Sequence, residues 1–270
     1  MTDKKRLDAL VLEAGLAPSR EKAKAMILSG AIYVDGCVQT KPGGLFPLDA
    51  KVEQSGGGLP YVSRGGLKLE KALSAFAIDL REKVAADIGA STGGFTDCML
   101  QNGAARVYAV DVGHDQLSPQ LRADSRVVNL EGVNARYLSS KEIPQPLDFI
   151  SVDVSFISLA LVLPVVYRLL GAGGTAVCLV KPQFEAGKDK VGKKGVVRDP
   201  KVHKEVIQRV CGYAMQEGFR LCGLDFSPVK GPEGNIEFLL YLQKAEKPAA
   251  SCGLLGLDVE AVVKASHEKA

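Results

Sequence analysis

Apolar positions near the start of the chain repeat at helical spacing. Leu7, Leu10, Val11 and Ala14 fall at i, i+3, i+4 and i+7, predicting a short amphipathic helix that Gly15 ends. Ser19 is placed to cap a second helix, with Ala23, Met26 and Ile27 on its apolar side and Arg20 and Lys24 sharing another face. The period then shortens to two: residues 31–38 read as a strand, a tight Asp35-Gly36 turn and a returning strand. Ser55-Gly56-Gly57-Gly58 interrupts every pattern. Residues 1–58 are therefore expected to form a small α+β module, with 59–62 as the linker to the rest.

From Tyr61 onward apolar strand signals alternate with helical ones. Strands are predicted near residues 84–88, 106–111, 126–130, 148–154, 175–181, 219–226 and 236–243. Seven strands with helices between them predict a doubly wound, Rossmann-like α/β sheet over residues 63–244. The last two are joined by residues 227–235 without a helical segment, so an antiparallel hairpin is expected at one edge. The tail, 245–270, has a Pro-Ala-Ala-Ser stretch and a weakly amphipathic end around 257–264, and the pattern assigns it no role.

On that sheet the chemistry-bearing residues fall at strand ends, where doubly wound folds keep their sites. Asp87-Ile88-Gly89-Ala90-Ser91-Thr92-Gly93-Gly94-Phe95 is a strand end, a glycine-rich turn and a helix start. Such a turn lets a ligand approach backbone N–H groups at a helix N-terminus. The next strand ends in Asp111, 22 positions after Gly89, the spacing at which a carboxylate can accept from ribose hydroxyls. Ser91 replaces the middle glycine of the dinucleotide pattern and disfavours a pyrophosphate. A ribose-bearing ligand without phosphates fits better, and S-adenosylmethionine is the commonest such cofactor. Further along, Asp153 and Lys181 close two predicted strands about thirty residues apart, so both can face one crevice.

Charge and composition narrow the picture. The 270 residues carry 34 Lys or Arg against 31 Asp or Glu, too even a balance to name a partner. Its distribution says more: residues 181–204 hold eight cations (including Lys188, Lys190, Lys193 and Lys194) against three acids, a local surplus of five. Six cysteines include no C-x-x-C pair and fit reduced thiols in a cytoplasmic protein. Three scattered histidines offer no metal-ligand cluster, so no metal is expected. Acids enter the N-terminal segment before any long apolar run, which argues against a signal peptide. The most hydrophobic stretch, 156–170, is broken by Pro164 and Arg168 and falls short of the about 20 residues that span a bilayer.

Arg6-Leu7-Asp8, Pro18-Ser19-Arg20-Glu21-Lys22-Ala23-Lys24 and Gly30-Ala31-Ile32-Tyr33-Val34-Asp35-Gly36 resemble the S-four-like RNA-binding domain. The resemblance implies that Arg6, Arg20, Lys22 and Lys24 are its RNA contacts. Lys68, Asp153, Lys181 and Glu237 look like the Lys-Asp-Lys-Glu set of FtsJ-type ribose 2′-O-methyltransferases. Together with Ser63-Arg64-Gly65-Gly66, Asp153-Val154-Ser155-Phe156-Ile157-Ser158 and Val180-Lys181-Pro182-Gln183-Phe184-Glu185, the chain resembles the TlyA family of rRNA cytidine 2′-O-methyltransferases, often labelled haemolysins. The resemblance spans about residues 4–243. It implies S-adenosylmethionine as cofactor, with Gly89, Ser91, Gly93 and Gly94 around the methionine, Asp111 on the ribose and Asn134 at the adenine edge. It also implies ribosomal RNA or ribosomal subunits as partner and adds Arg64 to the RNA contacts.

In that reading Lys181 works as a neutral amine on the ribose hydroxyl, which requires depression from an ordinary value near about 10.4. Asp153 and Glu237 orient the two lysines. A base methyltransferase would show an Asn/Asp-Pro-Pro-aromatic motif or a catalytic cysteine where this chain has Asp153-Val154-Ser155-Phe156. An assembly factor with a vestigial cofactor fold predicts a damaged glycine turn or missing lysines, and neither is seen. A membrane-lytic protein is suggested by the family label alone.

Overall fold

A computed structural model describes residues 4–54 (except 29, 36 and 40), 59–245 (except 232) and 257–268. The chain divides into two compact units, residues 1–64 and 65–270. The expected linker glycines 56–58, the turn residue Gly36 and the Pro-Ala-Ala-Ser stretch lie outside the described residues.

In the first unit, β1 (Lys4–Arg6) runs straight into α1 (Leu7–Glu13), followed by α2 (Arg20–Leu28), β2 (Ile32–Val34), β3 (Cys37–Gln39), β4 (Leu45–Pro47) and β5 (Val52–Gln54). Gly15 takes the left-handed conformation (φ 69°) just past α1, and Ser19 Oγ accepts from Lys22 N (3.2 Å) at the start of α2. The helical stripe and the strand alternation meet in one core of Leu7, Val11, Ala23, Ile27, Ile32 and Val34. β2 pairs antiparallel with both β3 and β5, while β1 pairs with β4.

In the second unit, α3 (Gly65–Ala75) precedes a seven-stranded sheet: β6 (Val84–Ile88), β7 (Arg106–Asp111), β8 (Val127–Glu131), β9 (Leu147–Val152), β10 (Leu170–Val180), β11 (Phe219–Phe226) and β12 (Phe238–Lys244). The spatial order is β11-β12-β10-β9-β6-β7-β8. β6 to β10 are parallel, and β12 is antiparallel to both neighbours. The expected hairpin is present, but its second strand is inserted between β10 and β11, so only β11 forms that edge. β10 also begins five residues before its expected start. Its opening Gly171, Gly173 and Gly174 carry little apolar pattern, and the register with β9 shifts between Leu170 and Thr175. Helices α4 (Gly94–Gln101), α5 (Pro119–Arg122), α6 (Leu163–Leu169), α7 (Pro182–Glu185) and α8 (Pro200–Gln216) connect the strands. Asp199 caps α8 through Lys201 N (2.9 Å), with Pro200 at its first turn. The weakly amphipathic end is α9 (Val259–Glu268), which buries Val259 and Val263 in the main core.

Candidate active site

Chain direction decides where side chains can meet. The chain leaves β6 and β9 toward opposite sides of the sheet, which opens a crevice at their C-terminal ends. Because β12 is antiparallel to β10, its first residue lies at that same end, with Phe238 opposite Val180. Asp153 follows β9, Lys181 follows β10 and Glu237 precedes β12, so three distant segments deliver side chains to one place. Lys68 reaches them from the first turns of α3.

The four form an alternating chain of charge. Lys68 Nζ lies 2.7 Å from Glu237 Oε2 and 3.4 Å from Asp153 Oδ2, and Lys181 Nζ pairs with Asp153 Oδ1. All but Asp153 are buried, Glu237 to 1 % exposure. Lysines and carboxylates alternate along it, and contact at this range is what makes their burial tolerable. Burial pulls the Lys68 ammonium down, but Asp153 and Glu237 outweigh it and hold the group above its ordinary value. Burial likewise pushes Asp153 up, and Lys68 with Lys181 reverses the sign, keeping it below the usual carboxylate range. The lysines are therefore unequal in partners: Lys68 is held by two carboxylates, Lys181 by one that it shares.

Two further polar groups join this set without having been singled out in the sequence. Lys181 Nζ also donates to Ser155 Oγ (3.1 Å), and Gln183 Nε2 donates to Glu237 Oε1 (3.4 Å). Both stand inside the motifs that located Asp153 and Lys181, but neighbouring polar residues gave no means of choosing between them. Phe156 has left-handed backbone (φ 62°), unusual for a bulky residue, and its ring is 91 % exposed. It rests against Phe184 with ring centroids 4.9 Å apart. Glu185 ties the two strand exits together, accepting from Ser158 Oγ and Leu159 N (both 2.7 Å).

Beside the tetrad the glycine turn is built around a close backbone crossing. Gly89 has φ 89°, and a Cβ there would sit 2.4 Å from the Asp153 carbonyl oxygen. Gly93, at φ 96°, would press a Cβ to 2.3 Å of Leu121 in α5. These glycines are required by the protein's own packing as well as by any ligand. Asp87, the charged residue inside apolar β6, braces the turn by accepting from Thr96 N (2.9 Å) and Thr96 Oγ1 (2.8 Å), with Ser151 Oγ at 3.2 Å. Asp111 accepts from Ser91 N (2.8 Å) on one oxygen and Gly113 N (2.7 Å) on the other. A carboxylate oxygen can accept twice, so ribose hydroxyls still find acceptors there. Gly94 opens α4 beneath the turn, and exposed Val112 adds an apolar surface next to Asp111. This donor and acceptor set fits a ribose-bearing sulfonium cofactor. Asn134 is occupied locally: its Oδ1 accepts from Arg136 N (3.0 Å) and caps a single helical turn.

The expected RNA contacts fall in both units. In the first, Lys22 and Lys24 are exposed on α2, Arg6 and Arg20 both bond the buried Asp8, and the stem of Arg64 lies over Gly30. In the second, Lys188, Lys190, Lys193 and Lys194 are exposed on the loop after α7, with Lys190 paired to Glu205. Among the described residues no helix is long and apolar enough to cross a membrane.

The sheet order, the glycine turn and the acid ending β7 define the second unit as a class I S-adenosylmethionine-dependent methyltransferase fold. Residues 61–244 match the FtsJ-like methyltransferase family and residues 5–44 the S4 domain. The chain belongs to the TlyA/haemolysin A family, which joins these two parts. It is 49 % identical over 270 residues (99 % of this chain, 96 % of the other) to Bacillus subtilis YqxC, described provisionally as an rRNA methyltransferase. It is 42 % identical over 252 residues (93 % and 94 %) to the 16S/23S rRNA (cytidine-2′-O)-methyltransferase TlyA of Mycobacterium tuberculosis. A solved Streptococcus thermophilus structure, described provisionally as a hemolysin, superposes with TM-score 0.76 at 44 % identity, covering 100 % of this chain and 98 % of that one.

Proposed function

We propose that the chain methylates the ribose 2′-oxygen of cytidine in ribosomal RNA, with S-adenosylmethionine as methyl donor. The buried Lys68–Asp153–Lys181–Glu237 chain is the observation that carries this reading. Methyl transfer to an alcohol needs the oxygen held in line with the methyl group and its proton removed or shared. Lys68, fixed between two carboxylates, acts as a permanent cation that orients them. Lys181, held by the shared Asp153 and by Ser155, acts in its neutral form as the amine that receives the hydroxyl proton as the 2′-oxygen gains the methyl group. Bound in the turn of Gly89, Ser91, Gly93 and Gly94 with its ribose on Asp111, the cofactor supplies an electrophilic methyl on a sulfonium.

The first unit supplies RNA affinity through Arg6, Arg20, Lys22 and Lys24, with Arg64 and the lysine loop adding phosphate contacts. The exposed Phe156 ring suits stacking on a nucleobase near the tetrad. Ribosomal subunits in the cytoplasm are the partner this assigns. A base methylation that proceeds through a thiol adduct has little support here: Cys178, the cysteine in β10, is buried, and burial pushes its thiol up to about 12.

The test is Lys181→Ala. Transfer of tritiated methyl to ribosomal subunits should fall by at least about 100-fold, the scale of general acid–base catalysis. Calorimetric affinity for S-adenosylmethionine should stay within a few-fold. Turnover near wild type would remove Lys181 from the mechanism.

A further inference from the structure

The geometry points to Asp8 as a positioning residue for RNA recognition: one buried carboxylate that holds the Arg6 and Arg20 guanidiniums side by side. This rests on the reading that those two arginines bind RNA. Arg6 ends β1, Asp8 lies in the first turn of α1, and Arg20 opens α2, so three elements converge on this carboxylate. Arg6 donates from Nε to Oδ1 (3.1 Å) and from Nη2 to Oδ2 (2.9 Å). Arg20 donates from Nε to Oδ2 (3.1 Å) and from Nη2 to Oδ1 (3.3 Å). The Asp8 side chain is fully buried, whereas those of Arg6 and Arg20 are 48 % and 53 % exposed.

Hydrogen-bond arithmetic shows what such a carboxylate does. A guanidinium has five N–H donors in a rigid plane, and Asp8 takes two from each. Three on each arginine remain for a ligand, and the carboxylate fixes both planes. Gly43 completes the seat for Arg6, since a Cβ there would lie 3.1 Å from Nη1. Two positive charges around one negative leave a net cation with a forked outer face, matching the charge and paired oxygens of a backbone phosphodiester. Without Asp8 the like-charged planes would repel and rotate, and RNA would have to order both long side chains on binding.

This role has a sign that simple charge counting does not share. Asp8→Asn removes a negative charge from the RNA-binding unit, so a purely Coulombic surface would bind RNA more tightly. Positioning predicts the reverse. The experiment titrates labelled full-length chain against ribosomal subunits from cells lacking the protein, comparing wild type, Asp8→Asn, Arg6→Ala with Arg20→Ala, and the triple variant. Asp8→Asn should weaken binding roughly tenfold, as expected when two ordered side chains become mobile. The triple variant should match the double within about twofold, because Asp8 acts only through the arginines. Wild-type or tighter binding by Asp8→Asn would overturn the inference. So would a triple variant clearly weaker than the double, which would make Asp8 a support of the fold alone. An arginine double variant that binds normally would overturn both the inference and the assignment of Arg6 and Arg20 as RNA contacts.

Discussion

Asp87 shows how a single carboxylate serves the turn it braces. Burial pushes it from its ordinary 3.8 to about 7, helped by the nearby Asp153 charge and opposed by hydrogen bonds from Thr96 and Ser151. A raised value means that the folded chain holds more protons than the unfolded one between about pH 4 and pH 7. Protonated Asp87 therefore supports the fold at low pH, and that contribution drains away from about pH 4 and is gone once pH has risen through 7. Asn keeps the shape and carries no charge, so Asp87→Asn should melt near wild type below about pH 4 and gain on it progressively, by several degrees at pH 8. The shift is measurable, since about 1 kcal/mol moves a domain of this size by roughly 2–4 °C. A melting difference that stays constant from below pH 4 to pH 8 would contradict it. Lys68 and Glu237 were named through the family resemblance, whereas Asp111, Asp153 and Lys181 were legible because charge at the end of an apolar strand is conspicuous. Their pairing was not: Asp8 reads as an ordinary helix-start acid, and Asn134 reads equally as ligand contact or cap.

At the scale of elements, the loop between α7 and α8 combines an exposed tip with a fixed base. Val197 donates its N–H to Asn235 Oδ1 (3.0 Å), and Asn235 Nδ2 donates to the Gly195 carbonyl (2.8 Å), so the loop is clipped beside the segment that bears Glu237. The Val197 carbonyl also meets His203 Nε2 (3.1 Å) in α8. Lys188, Lys193 and Lys194 stand on the exposed part without a described carboxylate partner, and Lys190 pairs only with the exposed Glu205. Neutralising all four to Gln should weaken RNA binding and flatten its dependence on salt. Each lost phosphate contact removes roughly 0.7–0.9 from the log–log slope, and titrations at several salt concentrations read it directly. An unchanged slope would make these lysines a solvated surface. Strand positions were close to expectation because apolar runs bounded by turns are local signals. The insertion of β12 between β10 and β11 was not visible, because pairing between strands distant in sequence leaves no local periodicity.

For the whole molecule, the central claim is a division of labour: the residue 1–64 unit recognises RNA, and the 65–270 unit performs alcohol methylation. Helix spacing in the first sixty residues and the seven strand signals after them are local patterns, so two parts could be expected from the sequence. What the sequence withheld was the convergence of α3, β9, β10 and β12 at one sheet end, since it depends on three-dimensional strand order. The most direct measurement locates the methyl group. Ribosomal RNA from cells with and without the protein would be digested and examined by mass spectrometry, with alkaline cleavage read across the same nucleotides. The account predicts a protein-dependent methyl on a cytidine ribose and a gap in alkaline cleavage there, because a methylated 2′-oxygen cannot attack the adjacent phosphate. A protein-dependent methyl on the base, with normal cleavage at that nucleotide, would contradict it.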